Sequence, residues 1–538
     1  MLFNFMGIGQ QLSLRAIIAT CGVLAGLSAT SALVAQSSEG CIRLQEFQGA
    51  KSDLNPVWTN AISGDWVADG EIASAGEPPE TSIAFATQPN SQQYLSLKIA
   101  PNQTELIRHT ETGEAKLGVY PGAGPAPWKV RIRRRGAYYF FEVNGAYIGF
   151  SFHPSGDLDR SSSTRAIVEP SSTRLGVQFL SDGKHELRDF RLQAVTFGQR
   201  SGTPVIAPGP SGSWDQAEAF PGAIVKYKRT YYLYLNGTDW TSESLEGGGH
   251  TRVGLATSED LTHWKVDPNK IVLDLGPKNA WDSTLVMVNG ATQTLDGKFA
   301  ITYMGFNGKT WSGIGLALAD DPAGPFTRYV ENPVLRTVPD SWETSIHEHT
   351  LYYDGNRYVL FYTGFDGKKG DRGGLAYSND LIHWTKDSSN PVFVDEGPNR
   401  WSSLHLRPRS LFRHNDHFYL FYEGAGMRPK FSEREGGVEV SNKLVFDSVG
   451  LARSVDLHHW ETFPMNPAIP QTGERSFDAL WTGWPHAVSS PDGLSVFYAG
   501  SDAWGFAKKQ GRVFAGLIHF SYEELENWGR ITNANTCR

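Results

Sequence analysis

Ser258-Glu-Asp-Leu-Thr-His-Trp264, Ser378-Asn-Asp-Leu-Ile-His-Trp384 and Ser454-Val-Asp-Leu-His-His-Trp460 are three copies of one phrase. Gly315-Leu-Ala-Leu-Ala-Asp-Asp321 and Gly516-Leu-Ile-His-Phe-Ser-Tyr-Glu-Glu-Leu-Glu-Asn-Trp528 stand where two further copies belong. Each phrase closes a longer unit. The unit opens on an aromatic residue and a short polar one: Trp214-Asp215, Trp281-Asp282, Trp342-Glu343, Trp401-Ser402 and Phe477-Asp478, at spacings of 67, 61, 59 and 76 residues. A hairpin follows, ending in an aromatic strand (Tyr234, Tyr303, Tyr362, Tyr422, Tyr498) and then a glycine (Gly237, Gly305, Gly364, Gly424, Gly500). Three to four short strands in about 65 residues, five times over, predict a five-bladed β-propeller. The first strand of each blade then lines a central funnel where distant stretches converge.

The repeated Asp and His of the phrase read as scaffold, because a unique site does not recur in blade after blade. Asp caps a turn, and Trp264, Trp384 and Trp460 pack between blades. Chemistry belongs to what the copies do not share.

The chain has 538 residues, 20% charged and 12% aromatic, with 57 glycines and a formal net charge of −8. That suits a turn-rich, aromatic-rich, all-β protein, and the lack of a basic block disfavours nucleic acid as a partner. Arg15, the apolar run from Ala16 to about Leu27 and the small residues to Ala35 have the order of a secretory signal. Residues 1–35 are therefore expected to be removed, leaving a secreted or periplasmic protein with no membrane attachment. The run is short for an uncleaved spanning helix. Cys41 and Cys537 are the cysteines of the mature chain, a disulfide candidate that would tie its two ends.

Residues 36–200 read as strands throughout. Trp128-Lys-Val-Arg-Ile-Arg-Arg134 alternates at period two, and Asn144-Gly145 marks a hairpin. The run from Val130 to Phe150 and that from Leu175 to Val195 resemble a jelly-roll β-sandwich of the concanavalin or laminin-G kind. This resemblance implies an ancillary, lectin-like domain. Residues 198–211, rich in Pro and Gly, read as a linker to the propeller of residues 201–538.

The propeller resembles the glycoside hydrolase superfamily that includes families 32, 43, 62, 68, 117 and 130, on the Gly-Leu-Ala-x-Ser-x-Asp-Leu-x-His-Trp phrase and on Trp281-Asp-Ser with Asp296-Gly-Lys-Phe-Ala-Ile-Thr-Tyr303. The resemblance implies a glycosidase acting on a carbohydrate through acids converging in the funnel. Cleavage needs two carboxyl groups flanking the bond, one of them held protonated. The candidates are Asp215, Glu218, Asp282, Glu343 and Glu348, with Asp215 or Glu218 as base, Glu348 or Glu343 as acid and Asp282 as a tuning acid. Asp215, Asp282, Glu343 and Asp478 share one repeat position, which equally fits a structural set.

Simple strand alternation puts His347 and His349 on one face and Glu348 on the other. The same rule aligns His405, Arg407 and Arg409. With Trp484 and His486 these complete the expected substrate pocket, and the two arginines suggest an anionic sugar. No metal site is assigned and no cofactor is required; the calcium ion of some relatives has no sequence test here, nor does the oligomeric state. Ala219-Phe-Pro-Gly222 lacks the Asp before Pro that family 43 enzymes place in blade one. That departure keeps alternatives open: a non-catalytic glycan-binding protein, or a lyase or phosphorylase on the same scaffold.

Overall fold

The computed structural model describes most residues between 35 and 528; residues 1–34 and 529–538, the internal stretches 50–56, 87–93, 153–171, 240–248, 395–400, 428–433 and 502–511, and some shorter ones are not described. The signal segment and Cys537, and with it the disulfide call, lie outside the described residues. The described chain is built of strands, with one short helix, Tyr522–Glu526. Among the described residues no helix is long and apolar enough to cross a membrane.

The N-terminal part folds as two antiparallel sheets. Their inner faces share one core. Trp66, Ile72, Trp128, Ile132, Phe141 and Phe190 come from one sheet, and Ile83, Leu95, Leu97 and Leu106 from the other. The period-two alternation explains this: Trp128, Val130 and Ile132 point inward, while Lys129 and Arg131 point out.

Five four-stranded blades follow. Their first strands are Glu218–Tyr227, Leu285–Gln293, Ser345–Tyr353, His405–His414 and Trp481–Ser490. These five neighbour one another in a ring around the funnel. Blade five takes its outer strand from Gln199–Arg200, which pair with His519 and Ile518, and Ile206 bridges to Ala515. The stretch read as a linker thus clasps the last blade to the segment entering the first.

The repeated phrase is scaffold in every copy. In the first, Asp260 accepts hydrogen bonds from the backbone of Thr262 and His263 and from the His263 ring, and Trp264 Nε1 donates to Leu261 O. The copies at Asp380 and Asp456 repeat this. Trp264 packs edge-on against Phe497 of blade five, and Trp460 against Phe361 and Phe393 of blade three. The glycine closing each aromatic strand makes room for the opening aromatic: a methyl group on Gly364 would overlap the Trp342 indole.

Candidate active site

The acids that open the blades do not converge. Each is buried at the entry of its own blade, and in blades two, three and five the tyrosine of the second strand caps it. Tyr303 donates to Asp282 at 3.2 Å, Tyr362 to Glu343 at 2.7 Å and Tyr498 to Asp478 at 2.7 Å. A base from further out completes each group: Arg328 at 2.8 Å from Asp282, Lys386 at 2.9 Å from Glu343, and Arg200 on Asp478. Asp215 holds the same place in blade one, buried beside Gly209 and Gly237. Asp282 and Glu343 are therefore blade-entry caps rather than funnel acids, and Asp215 sits with them.

The funnel is shaped by a β-bulge in every first strand, between Pro221 and Ala223, Val288 and Gly290, Ile346 and His349, Pro408 and Ser410, and Gly483 and His486. A bulge puts extra residue into one strand and re-aims its side chains. Simple alternation fails here for that reason. His347 and Glu348 do not take opposite faces; His347 Nδ1 contacts Glu348 Oε2. His349 turns away instead, its Nδ1 donating to His347 O at 3.3 Å and its Nε2 accepting from Thr302 of blade two at 2.9 Å. His486 is likewise spent between blades, accepting the Ile224 N–H at 3.1 Å. Burial holds both rings neutral, pushing His349 down to about 3 and His486 to about 4. Neither joins the pocket expected of them.

Blades three and four supply a charged wall. Arg409 Nη2 lies 3.3 Å from Glu348 and 3.1 Å from Glu423. Arg407 reaches Glu423 at 2.9 Å and Asp371 at 2.5 Å, and Asp371 also meets His405 at 2.8 Å. Burial alone would raise Asp371 and Glu423. At Asp371 the Arg407 guanidinium outweighs it, helped by His405 and His347, and at Glu423 the guanidiniums of Arg409 and Arg407 do so, helped by the Trp484 N–H, so both carboxyls are held below their ordinary range. His347 is pushed down to about 4, by burial first and by both arginines, against the pull of Asp371. The wall thus carries three carboxylates against two guanidiniums.

Asp371 and Glu423 lie off the first strands, where the sequence places the candidate acids. A signal existed. The residue between the second-strand tyrosine and its glycine is Asn236, Met304, Thr363 and Ala499 where Glu423 stands in blade four, leaving out only Leu235 of the longer blade-one segment.

Blades one, two and five supply the opposite, apolar side: Phe220, Met287, Met304 and Trp481 form one cluster, flanked by Phe306, Trp311 and Trp484. Phe220 and Trp484 stack at 4.0 Å, as do Phe306 and Trp311 at 4.5 Å. The two sides meet at two seams, Arg409 at 5.3 Å from the Trp484 ring and Trp311 at 6.0 Å from His347. Glu218 stands on the apolar side, two residues before Phe220 on its strand. It takes a 2.6 Å hydrogen bond from Thr238, and burial pushes it up to about 7.

Sequence comparison bears on this arrangement directly. Residues 220–429 match the family described as glycosyl hydrolases family 32 N-terminal domain. The resemblance to the propeller glycoside hydrolases is borne out. The matched span runs from blade one through the second strand of blade four and contains Glu348, Asp371, Arg407, Arg409 and Glu423. Comparison with curated proteins returns no match. Similar solved structures include a glycosyl hydrolase from Bacteroides ovatus, at 16% identity over 60% of this chain and 94% of that one, with a TM-score of 0.45. Another is a family 117 glycoside hydrolase from Zobellia galactanivorans, at 15% identity over 60% and 91%, with a TM-score of 0.43. A third is a family 32 β-fructofuranosidase from Bombyx mori, at 16% identity over 59% and 61%, with a TM-score of 0.40.

Proposed function

We propose that the funnel hydrolyses the glycosidic bond of a neutral saccharide, with Glu218 as the proton donor and Glu348 as the ionised partner. The observation that carries this is the division of the funnel into an aromatic side and a charged wall. A sugar ring has an apolar face suited to Trp484 and Trp311 and hydroxyls suited to carboxylates and guanidiniums. Two carboxyls in unlike surroundings divide the labour of acid and base. Glu218, buried and hydrogen-bonded to Thr238 rather than to a cation, keeps a proton near neutrality. Glu348 lies 3.3 Å from the Arg409 guanidinium, a neighbour that suits the ionised role. Glu218 protonates the departing oxygen. Glu348 either attacks the anomeric carbon or draws a proton from the attacking water, according to the separation of the two groups. This inverts the acid and base roles expected from the sequence.

The charge count favours a neutral sugar over an anionic one, since both arginines are already engaged by carboxylates. Export rests on the signal-like order of residues 15–35. A binding-only reading draws on Phe220, an apolar ring at the blade-one position where family 43 enzymes carry Asp. Release of reducing sugar from a panel of soluble fructan, arabinan and mannan separates the two. Glu348→Gln is expected to lower release by about 10²–10⁴-fold with the fold intact by circular dichroism. No release from any member by the parent protein would leave the binding-only reading standing.

A further inference from the structure

Each funnel bulge leaves one or two residues unpaired with the second strand: Gly222, Asn289, His347 with Glu348, Arg409, and Trp484 with Pro485. Glu348 and Arg409 stand in the charged wall and Trp484 on the apolar side. Gly222 carries no side chain. Asn289 of blade two is the remaining member of this ring. Met287, two residues earlier on its strand, belongs to the apolar cluster.

The backbone on both sides of Asn289 is fixed. Val288 is clamped by Asn236 of blade one, which accepts its N–H at 2.9 Å and donates to its carbonyl at 3.1 Å. The Val288 side chain is buried in the core shared by blades one and two. Gly290 lies against blade three, where a methyl group would stand 2.5 Å from Leu351 Cβ. The directions toward both neighbouring blades are therefore taken, and the bulge turns the Asn289 side chain to the funnel. The residue is only 8% exposed, and its Oδ1 is buried with no hydrogen-bond partner among the described residues. A buried acceptor left unpaired costs stability in the free protein, so the oxygen calls for a partner from outside the chain.

We propose that Asn289 is a specificity-determining residue of the funnel, its carboxamide taking a hydroxyl of the sugar ring that lies on the apolar side. The inference rests on the reading of the funnel as a saccharide site. An amide is uncharged, and its oxygen accepts from a hydroxyl while its NH₂ donates to one, which suits a neutral sugar. On the apolar side of blades one and two, where Phe220 and Met287 offer only surface, it adds direction. A ring lacking that hydroxyl would leave the buried oxygen unpaired, so the funnel discriminates against it.

The test compares the parent with Asn289→Ala and Asn289→Leu, the second keeping the side-chain volume where the first leaves a cavity. Sugar release from soluble fructan, arabinan and mannan gives KM and kcat. Native gels cast with the same polysaccharides give binding, with Glu348→Gln present throughout so that nothing is consumed. Both Asn289 variants should raise KM and weaken retardation about tenfold, the scale of one lost hydrogen bond. The melting temperature of Asn289→Leu without saccharide should be no lower than the parent's, because no hydrogen bond to Oδ1 is lost. Unchanged KM and retardation in both variants overturn the proposal, whatever happens to the melting temperature. Retardation that depends on Asn289 without any sugar release keeps this site and removes the glycosidase. Sugar release with a KM indifferent to Asn289 does the reverse, and neither release nor retardation from any of the three polysaccharides overturns both.

Discussion

Asp282 and Glu348 are both buried acids beside an arginine, yet they belong to different regions of the propeller. Asp282 shares its repeat position with Asp215, Glu343 and Asp478, and it, Glu343 and Asp478 have the same company: a second-strand tyrosine and an outer base. Glu348 has no counterpart. It sits on a bulge, against His347 and Arg409, within a wall assembled from two blades. Burial and charge pairing alone therefore do not distinguish a scaffold acid from a reactive one. Departure from the repeat does, because a group selected to close each blade recurs with the blade, while a group serving one funnel occurs once.

The sharpest way to break this contrast is to remove an acid from each region. Asp282→Ala takes away the partner of Arg328 and the acceptor of Tyr303 inside a packed blade. It should cost about 3 kcal/mol of unfolding free energy, the scale for breaking a buried pair. Sugar release per folded molecule should stay near the parent value. Chemical denaturation beside a turnover assay checks both. A stable but inactive Asp282→Ala protein would move Asp282 into the mechanism and erase the difference between the two regions.

Much of the architecture was readable because repetition multiplies weak signals. One Trp-Asp pair means little; five aromatic openings, five aromatic strands and five following glycines fix the blades. The funnel was harder for two physical reasons. A bulge breaks the period of two, so plain alternation around His347-Glu348-His349 puts His349 in the pocket, whereas its ring bonds Thr302 between blades. Acids also reach the funnel wall from second and third strands. Asp371 stands at a bridge to His405 where blades one, two and five have Thr251, Ser312 and Val513. Glu423 is the same kind of exception. Both were visible as deviations from the repeat once the repeat was aligned strand by strand rather than at its openings.

A second prediction sharpens the contrast within the funnel, between the acid held neutral and the acids held charged. Glu218 has an ordinary value of 4.5 and is raised to about 7 by burial. Below pH 4.5 both folded and unfolded chains hold this proton. Between 4.5 and 7 the unfolded chain releases it and the folded chain retains it, so stability falls as pH rises, by on the order of 3 kcal/mol across that window. Glu218→Gln should remove this slope and be the more stable protein above pH 7. The upper limb of the parent's activity profile should fall near the same pH. Parallel stability profiles for parent and variant would show that Glu218 is not the protonated acid.

The smallest effect tests whether the aromatic side of the funnel serves the substrate or only the packing. Trp484 has a φ of 43°, a conformation uncommon for a residue with a side chain, and such strain persists where surrounding structure enforces it. Glu423 accepts its N–H at 3.3 Å, Phe220 stacks on its ring and Arg409 lies over it. The same carboxylate thus holds the wall's arginines and the floor's tryptophan. Trp484→Ala removes the ring while leaving Glu423, Arg407 and Arg409 paired. Losing a stacking surface worth about 1 kcal/mol should raise KM about fivefold and move kcat little. A variant with unchanged KM and a lowered melting temperature would assign the ring to blade packing, and the funnel's apolar side would join the blade-entry acids as scaffold.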